Sequence, residues 1–191
     1  KPEALVKSAK EYLAKGDQKA AVVQLRSALQ KNPDLAEARF LLGGALLDTG
    51  DFPASEKELR KALELEYPAD QVVPTLVRVI VAEGRFKAAI DEFGTASIGS
   101  PQGTAELQSA LGQAYFATGN AAAGKAAFEA ALAAQSDYPP AILGVVVLAV
   151  QREGTHIREK VSDLRLRLGD VLLVQGDAEA LASFRGPGDF V

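Results

Sequence analysis

The chain has 191 residues, 48% of them hydrophobic, with 21 Lys and Arg against 25 Asp and Glu, a net charge of −4, one histidine and no Cys, Met or Trp. That composition suits one or two folded domains with a buried core, and it excludes disulfides, thiolate nucleophiles, cysteine-held metal centres and a His-rich metal cage. No block of basic charge offers a footprint for a phosphate backbone, so nucleic acid is not an expected partner.

From the N-terminus, Lys1-Pro2-Glu3 comes without an initiating Met or an apolar signal core, which reads as the start of a processed or truncated segment. Ala9, Tyr12 and Leu13 then follow helical spacing up to Gly16, and Ala21, Leu25 and Ala28 follow it beyond. Gly16, Gly50, Gly84 and Gly119 recur at spacings of 34, 34 and 35, so the chain is a repeat array of helix, turn, helix units. The units fall at 2–35, 36–69, 70–103 and 105–138. Each glycine suits a turn with positive φ, after which Asp17 and Asp51 are placed to cap the second helix.

Small residues mark the close helix approaches: Ala9, Ala21 and Ala28, then Gly43, Ser55 and Ala62, then Ala89 and Ala96, then Gly112, Gly124 and Ala131. Leu25, Leu59, Phe93 and Phe128 occupy equivalent core positions, as do Tyr12, Leu46, Ile80 and Tyr115. Pro33, Pro68, Pro101 and Pro139-Pro140 sit at unit boundaries, and Pro53 at a helix start. In the third unit Gly94 falls inside the expected second helix.

The tail changes character. Val and Ile are absent from Ala105 to Ala141, whereas Val145, Val146, Val147, Val150, Ile157, Val161, Val171 and Val174 follow Gly144. This predicts strands over Val145 to Gln151, near His156 and Ile157, and over Asp170 to Val174, with a closing helix from Ala178 to Phe184. The alternative is an all-α tail, because Gly154 lies 35 residues after Gly119 and Pro140-Ala141-Ile142-Leu143-Gly144 starts like a fifth first helix. The longest apolar run, Ile142 to Val150, falls short of the roughly 20 residues of a membrane span. We therefore divide the chain into a solenoid, 1–141, and a tail, 142–191.

Nothing in the pattern marks an enzyme. Glu56 with Glu58, or Glu11 with Asp17, reads as solvated helix face rather than an acid and base pair. His156 has no nucleophile constellation around it. Gly43-Gly44 and Gly186-Pro187-Gly188 lack the Lys-Ser or Lys-Thr ending of a phosphate loop. No catalytic residue, cofactor or metal is expected.

The repeat resembles the tetratricopeptide repeat, a helix pair of about 34 residues, with Val77 standing where that repeat has Gly or Ala. The runs Ser8-Ala9-Lys10-Glu11-Tyr12-Leu13-Ala14-Lys15-Gly16-Asp17, Gln24 to Asp34, Glu37 to Gly43 and Glu56 to Ala62 look like the TPR-repeat lipoprotein of bacterial PEP-CTERM/exosortase systems, over about residues 3 to 142. That resemblance implies an envelope-located, periplasmic-facing, lipid-anchored scaffold at exopolysaccharide and protein-sorting loci, with a cytoplasmic location as the alternative. The tail strings Val147 to Gly154 and Leu166 to Gly176 resemble the C-terminal half of a TrkA-C (RCK C-terminal) domain. The implied fold is mainly α, a solenoid of about four helix pairs followed by a small partial α+β segment. Such a segment would be completed by the solenoid or by a second chain, giving a homodimer and a regulatory or small-ligand role. The abrupt junction also allows a fusion.

In a repeat array of this class the first helices line a concave groove that takes a peptide or partner protein. The family's groove positions map onto Val6, Lys10 and Leu13; Phe40, Gly44 and Leu47; Pro74, Arg78 and Val81; and Ser109, Gln113 and Phe116. Lys10, Phe40, Leu47, Arg78, Gln113 and Phe116 are the expected contact residues. Lys10 and Arg78 suit acidic partner groups, and Phe40 and Phe116 suit desolvated anchors, or else core packing between repeats. The Lys and Asn set of chaperone-tail carboxylate clamps is absent.

Overall fold

The computed structural model describes residues 1–141, 149–152, 155–156 and 171–173. Its helices are α1 (Pro2–Ala14), α2 (Gln18–Lys31), α3 (Ala36–Asp48), α4 (Phe52–Glu64), α5 (Ala69–Ala82), α6 (Phe86–Phe93), α7 (Pro101–Ala117) and α8 (Ala121–Ala134). They form antiparallel pairs, each packed on the next, as a solenoid.

One turn is built four times. Gly16, Gly50, Gly84 and Gly119 have φ of 73°, 82°, 74° and 85°, a region that costs an L side chain energy. The residue after each glycine donates its N–H back to Tyr12, Leu46, Ile80 or Tyr115 C=O at 2.9–3.1 Å, closing the left-handed helix stop. The large core positions recur with the turn because the same residues accept these bonds. Asp17 Oδ1 accepts from Ala20 N–H at 3.0 Å and Asp51 Oδ1 from Ala54 N–H at 3.4 Å, as expected. Asn120 caps α8 likewise at 3.1 Å, whereas Arg85 gives α6 no side-chain cap.

The small positions are set by contact. A Cβ on Gly43 would lie 2.5 Å from Leu59 Cγ, and one on Gly112 would lie 3.0 Å from the Phe128 ring. Ser55, fully buried, uses the same approach to donate from Oγ to Gly43 C=O at 2.6 Å. Leu25, Leu59, Ile80 and Phe128 are buried between the paired helices.

The third unit departs from the sequence reading. Gly94 is not inside α6 but ends it, leaving a helix of 8 residues. The chain then turns under Asp70, whose carboxylate accepts from Gly99 and Ser100 N–H at 3.2 and 3.0 Å. Ser100 Oγ accepts from Gly103 N–H at 3.2 Å, and Pro101 enters the first turn, so α7 starts four residues before the expected unit boundary at 105.

In the tail, β1 (Ala149–Arg152) pairs antiparallel with β2 (Thr155–His156) and β3 (Val171–Leu173), in the order β2-β1-β3. Gln151 faces His156 on one side and Val171 on the other. The expected helix from Ala178 to Phe184, Gly154 of the fifth-repeat alternative, and the Gly169-Asp170 turn lie outside the described residues.

Candidate functional site

The first helices α3, α5 and α7 carry a hollow of about 690 Å³. Leu47, Arg78 and Val81 line it from α3 and α5, Ser109 and Gln113 from α7, and Tyr138 after α8. A second hollow of about 270 Å³ lies towards the N-terminus, with Leu13, Gln18, Phe40 and Gly44 in its wall. Leu47 and Arg78 belong to both, so the two adjoin as one groove.

Of the six expected contact residues, Leu47, Arg78 and Gln113 thus meet in the larger hollow and Phe40 joins Leu47 and Arg78 in the smaller. Lys10 sits apart, in a hollow of about 190 Å³ with Val6 and Glu37. Its Nζ lies 2.5 Å from the Glu37 carboxylate, and that hydrogen bond raises the Lys10 pKa against the opposing effect of burial. Phe116 lies half-buried over Gly124 and stacks on Phe128 with ring centroids 5.7 Å apart. Phe40 is likewise stacked on Tyr67, at 4.9 Å, and lines the smaller hollow. Pro74 is buried in α5.

Charge in the larger hollow is uneven. Arg78 is exposed and makes no hydrogen bond or ion pair among the described residues. Two carboxylates line the same wall, but Glu83 is held by Arg85 at 2.7 Å and Glu106 accepts from Gln102 at 3.0 Å. Burial raises the Tyr138 pKa and Glu106 adds to the rise, while Arg78 opposes it.

Glu106, Tyr138 and Gln18 are among the groove residues that escaped the sequence reading. Glu106 shares a face of α7 with Ser109 and Gln113 at helical spacing, a signal that was available. Tyr138 stands beside the Pro139-Pro140 boundary, which pointed to a helix start rather than a wall. Gln18 belongs to a second helix, and its Nε2 donates across to Asp48 in the same wall at 2.9 Å.

Of the carboxylates weighed as acid and base pairs, Glu11 and Asp17 are exposed, whereas Glu56 and Glu58 are not solvated face. Glu56 is gripped by Arg60 at 2.8 Å and Arg85 at 2.6 Å, and Glu58 by Arg39 at 2.6 Å, with the two glutamates only 16% and 14% exposed. Arg60 also forks onto both Glu92 oxygens at 2.7 and 2.9 Å, tying α4 to α6. Burial pushes the Glu56 pKa up, but hydrogen bonds from Arg85 and Arg60 outweigh it and the net direction is down. Among the described residues no three His, Asp or Glu cluster as metal ligands, and no helix is long and apolar enough to cross a membrane.

Family comparison agrees with this architecture. Residues 12–72 and 105–138 each match the tetratricopeptide repeat. No curated protein matches the chain. A solved Pseudomonas aeruginosa pilF structure is similar with a TM-score of 0.61 at 21% identity, over 75% of this chain and 65% of that one, just under two thirds of its length. A thermophilic TPR protein of Thermus thermophilus gives 0.62 at 20%, over 75% and 79%, and MamA from Desulfovibrio magneticus 0.59 at 17%, over 74% and 79%. At these identities the likeness is one of fold alone. With family matches on the first, second and fourth units and the same glycine turn in the third, the helical part of the chain is a tetratricopeptide-repeat solenoid.

Proposed function

We propose that the protein is a non-catalytic scaffold that holds a peptide or partner protein in the groove of its first helices. The observation that carries this reading is the meeting of two hollows at Leu47 and Arg78, where apolar side chains stand beside a cation that makes no ion pair among the described residues. Such a surface offers apolar burial together with one directed charge, the combination from which peptide recognition is built. Selection of a displayed random-peptide library on the full chain tests it. Recovered binders should lose affinity for Arg78→Glu and keep it for Lys87→Glu on α6; binders indifferent to Arg78→Glu would place recognition elsewhere.

We place this scaffold in the bacterial envelope, facing the periplasm, in exopolysaccharide and PEP-CTERM protein sorting, with a lipid anchor in the full-length protein. Support comes from the exposed residues of the runs Ser8 to Asp17 and Gln24 to Asp34, which the repeat fold does not dictate. Fractionation of producing cells should find the protein with the envelope; recovery in the cytoplasm overturns the placement.

A second reading rests on the small sheet. β2 and β3 each pair on one side only among the described residues, and such edges invite a further strand. A second copy supplying it would make the tail a TrkA-C-like regulatory dimerisation module. Light scattering should then report a dimer that Leu172→Pro, at the middle of β3, dissociates; a monomeric parent chain removes this reading.

A further inference from the structure

The groove wall holds an incomplete set of polar partners. Among the described residues, Ser109, 2% exposed, keeps its hydroxyl without a hydrogen-bond partner, and the enclosed Gln18 Oε1 has no donor. A helical hydroxyl normally bonds the carbonyl one turn back, as Ser27 does to Val23 and Thr75 to Gln71 at 2.9 and 3.1 Å. Ser109 does not. Buried groups left unpaired are costly and few in native proteins, so each calls for a physical reason. Ser109 lines the larger hollow and Gln18 the smaller, with Arg78 common to both. One rotation about χ1 is all that a serine needs to turn its hydroxyl towards the groove.

A donor at one end, an acceptor at the other and a cation between them match an extended backbone, which presents both N–H and C=O groups. Charge narrows the choice further. Arg78 has no ion-pair partner among the described residues, whereas Glu106 in the same wall, bonded only to the neutral Gln102, would repel a second carboxylate. Resting on the reading of the groove as a peptide site, we infer that its occupant is an extended segment with a single acidic side chain among uncharged residues. The carboxylate pairs with Arg78, a backbone N–H donates to Gln18 Oε1, and Ser109 Oγ donates to a backbone carbonyl.

End-capped synthetic peptide pools of Ala, Val, Leu and Ser, with one Glu, one Gln or three Glu at the centre, test this by fluorescence anisotropy with the full chain. The single-Glu pool should bind about tenfold tighter than the Gln pool, the worth of one charge-assisted hydrogen bond, and three Glu should add nothing. Arg78→Gln should erase the difference between Glu and Gln. Ser109→Ala should weaken the single-Glu pool several-fold while the protein melts at or above the parent temperature, a split that a purely structural serine would not give. Equal binding of the Glu and Gln pools, or a preference that survives Arg78→Gln, overturns the acidic occupant and leaves the scaffold reading standing. Unchanged binding by Ser109→Ala overturns the hydrogen-bonded pose. If no pool binds at all, the peptide reading falls with it.

Discussion

Glu66 ends α4 with φ of 60°, the non-glycine residue that holds the left-handed conformation among those described. Its N–H donates to Leu63 C=O and that of Tyr67 to Ala62 C=O, both at 2.9 Å, so the stop is the glycine stop without the glycine. Glu66→Gly should therefore stabilise the protein by up to about 1 kcal/mol, the relief of the Cβ clash less the added chain entropy, read in urea unfolding. Neighbouring glycines in α3 give opposite signs. A Cβ at Gly43 meets Leu59 at 2.5 Å, so Gly43→Ala should cost about 1–3 kcal/mol. A Cβ at Gly44 meets nothing within 4 Å, so Gly44→Ala should gain about 0.5–1 kcal/mol in the same assay. The sequence distinguishes these residues only through their phase in the repeat. That phase exposes the turn glycines and the small positions, but Glu66 stays hidden because nothing in its side chain favours positive φ.

At the scale of elements, α4 and α6 are tied by charge where packing is thin. The short α6 lacks a side-chain cap, and Arg60 and Arg85 bridge it and its entry turn to Glu56 on α4. The hydrogen bond from Arg60 lowers the Glu92 pKa despite the opposing effect of burial, and Glu56 is also lowered on balance. Carboxylates held below their unfolded value stabilise the fold fully above the ordinary carboxylate range, and the gain disappears as pH falls through the lowered folded-state value. Thermal midpoints should thus drop with acid more steeply for the parent chain than for Glu92→Gln. Near neutrality that variant should cost no more than about 1 kcal/mol, since Glu92 is 42% exposed and water screens the pair. Helix existence and order were legible from periodicity, whereas these ion pairs were not, because residues 29 and 32 apart in sequence meet only once the repeats stack. The groove shows the same division: Leu47, Arg78 and Gln113 follow from helix phase, while Gln18 and Tyr138 arrive from elements outside the first helices.

Across the whole molecule, burial is divided rather than central. Val6, Leu25, Leu42 and Leu46 belong to a cluster of the first two units, whereas Leu59, Leu76, Ile80, Phe93 and Leu111 form one that runs from α4 to α7. Phe128 anchors a third, smaller cluster at α8. In a stack of this kind each unit is stabilised by its own packing and by its neighbours. Leu25→Ala and Leu76→Ala remove the same atoms from fully buried sites, and each should cost about 2–5 kcal/mol locally. Their reach should differ. Loss at Leu25 weakens a cluster confined to the first two units, so amide exchange should quicken in α1 and α2 while α5 and α7 keep their protection. Loss at Leu76 strikes the cluster that joins the units on either side of it, so protection should fall together from α4 to α7. Equal, chain-wide loss from both variants would mean that the solenoid unfolds as one body, and the division of its core would then carry no energetic meaning.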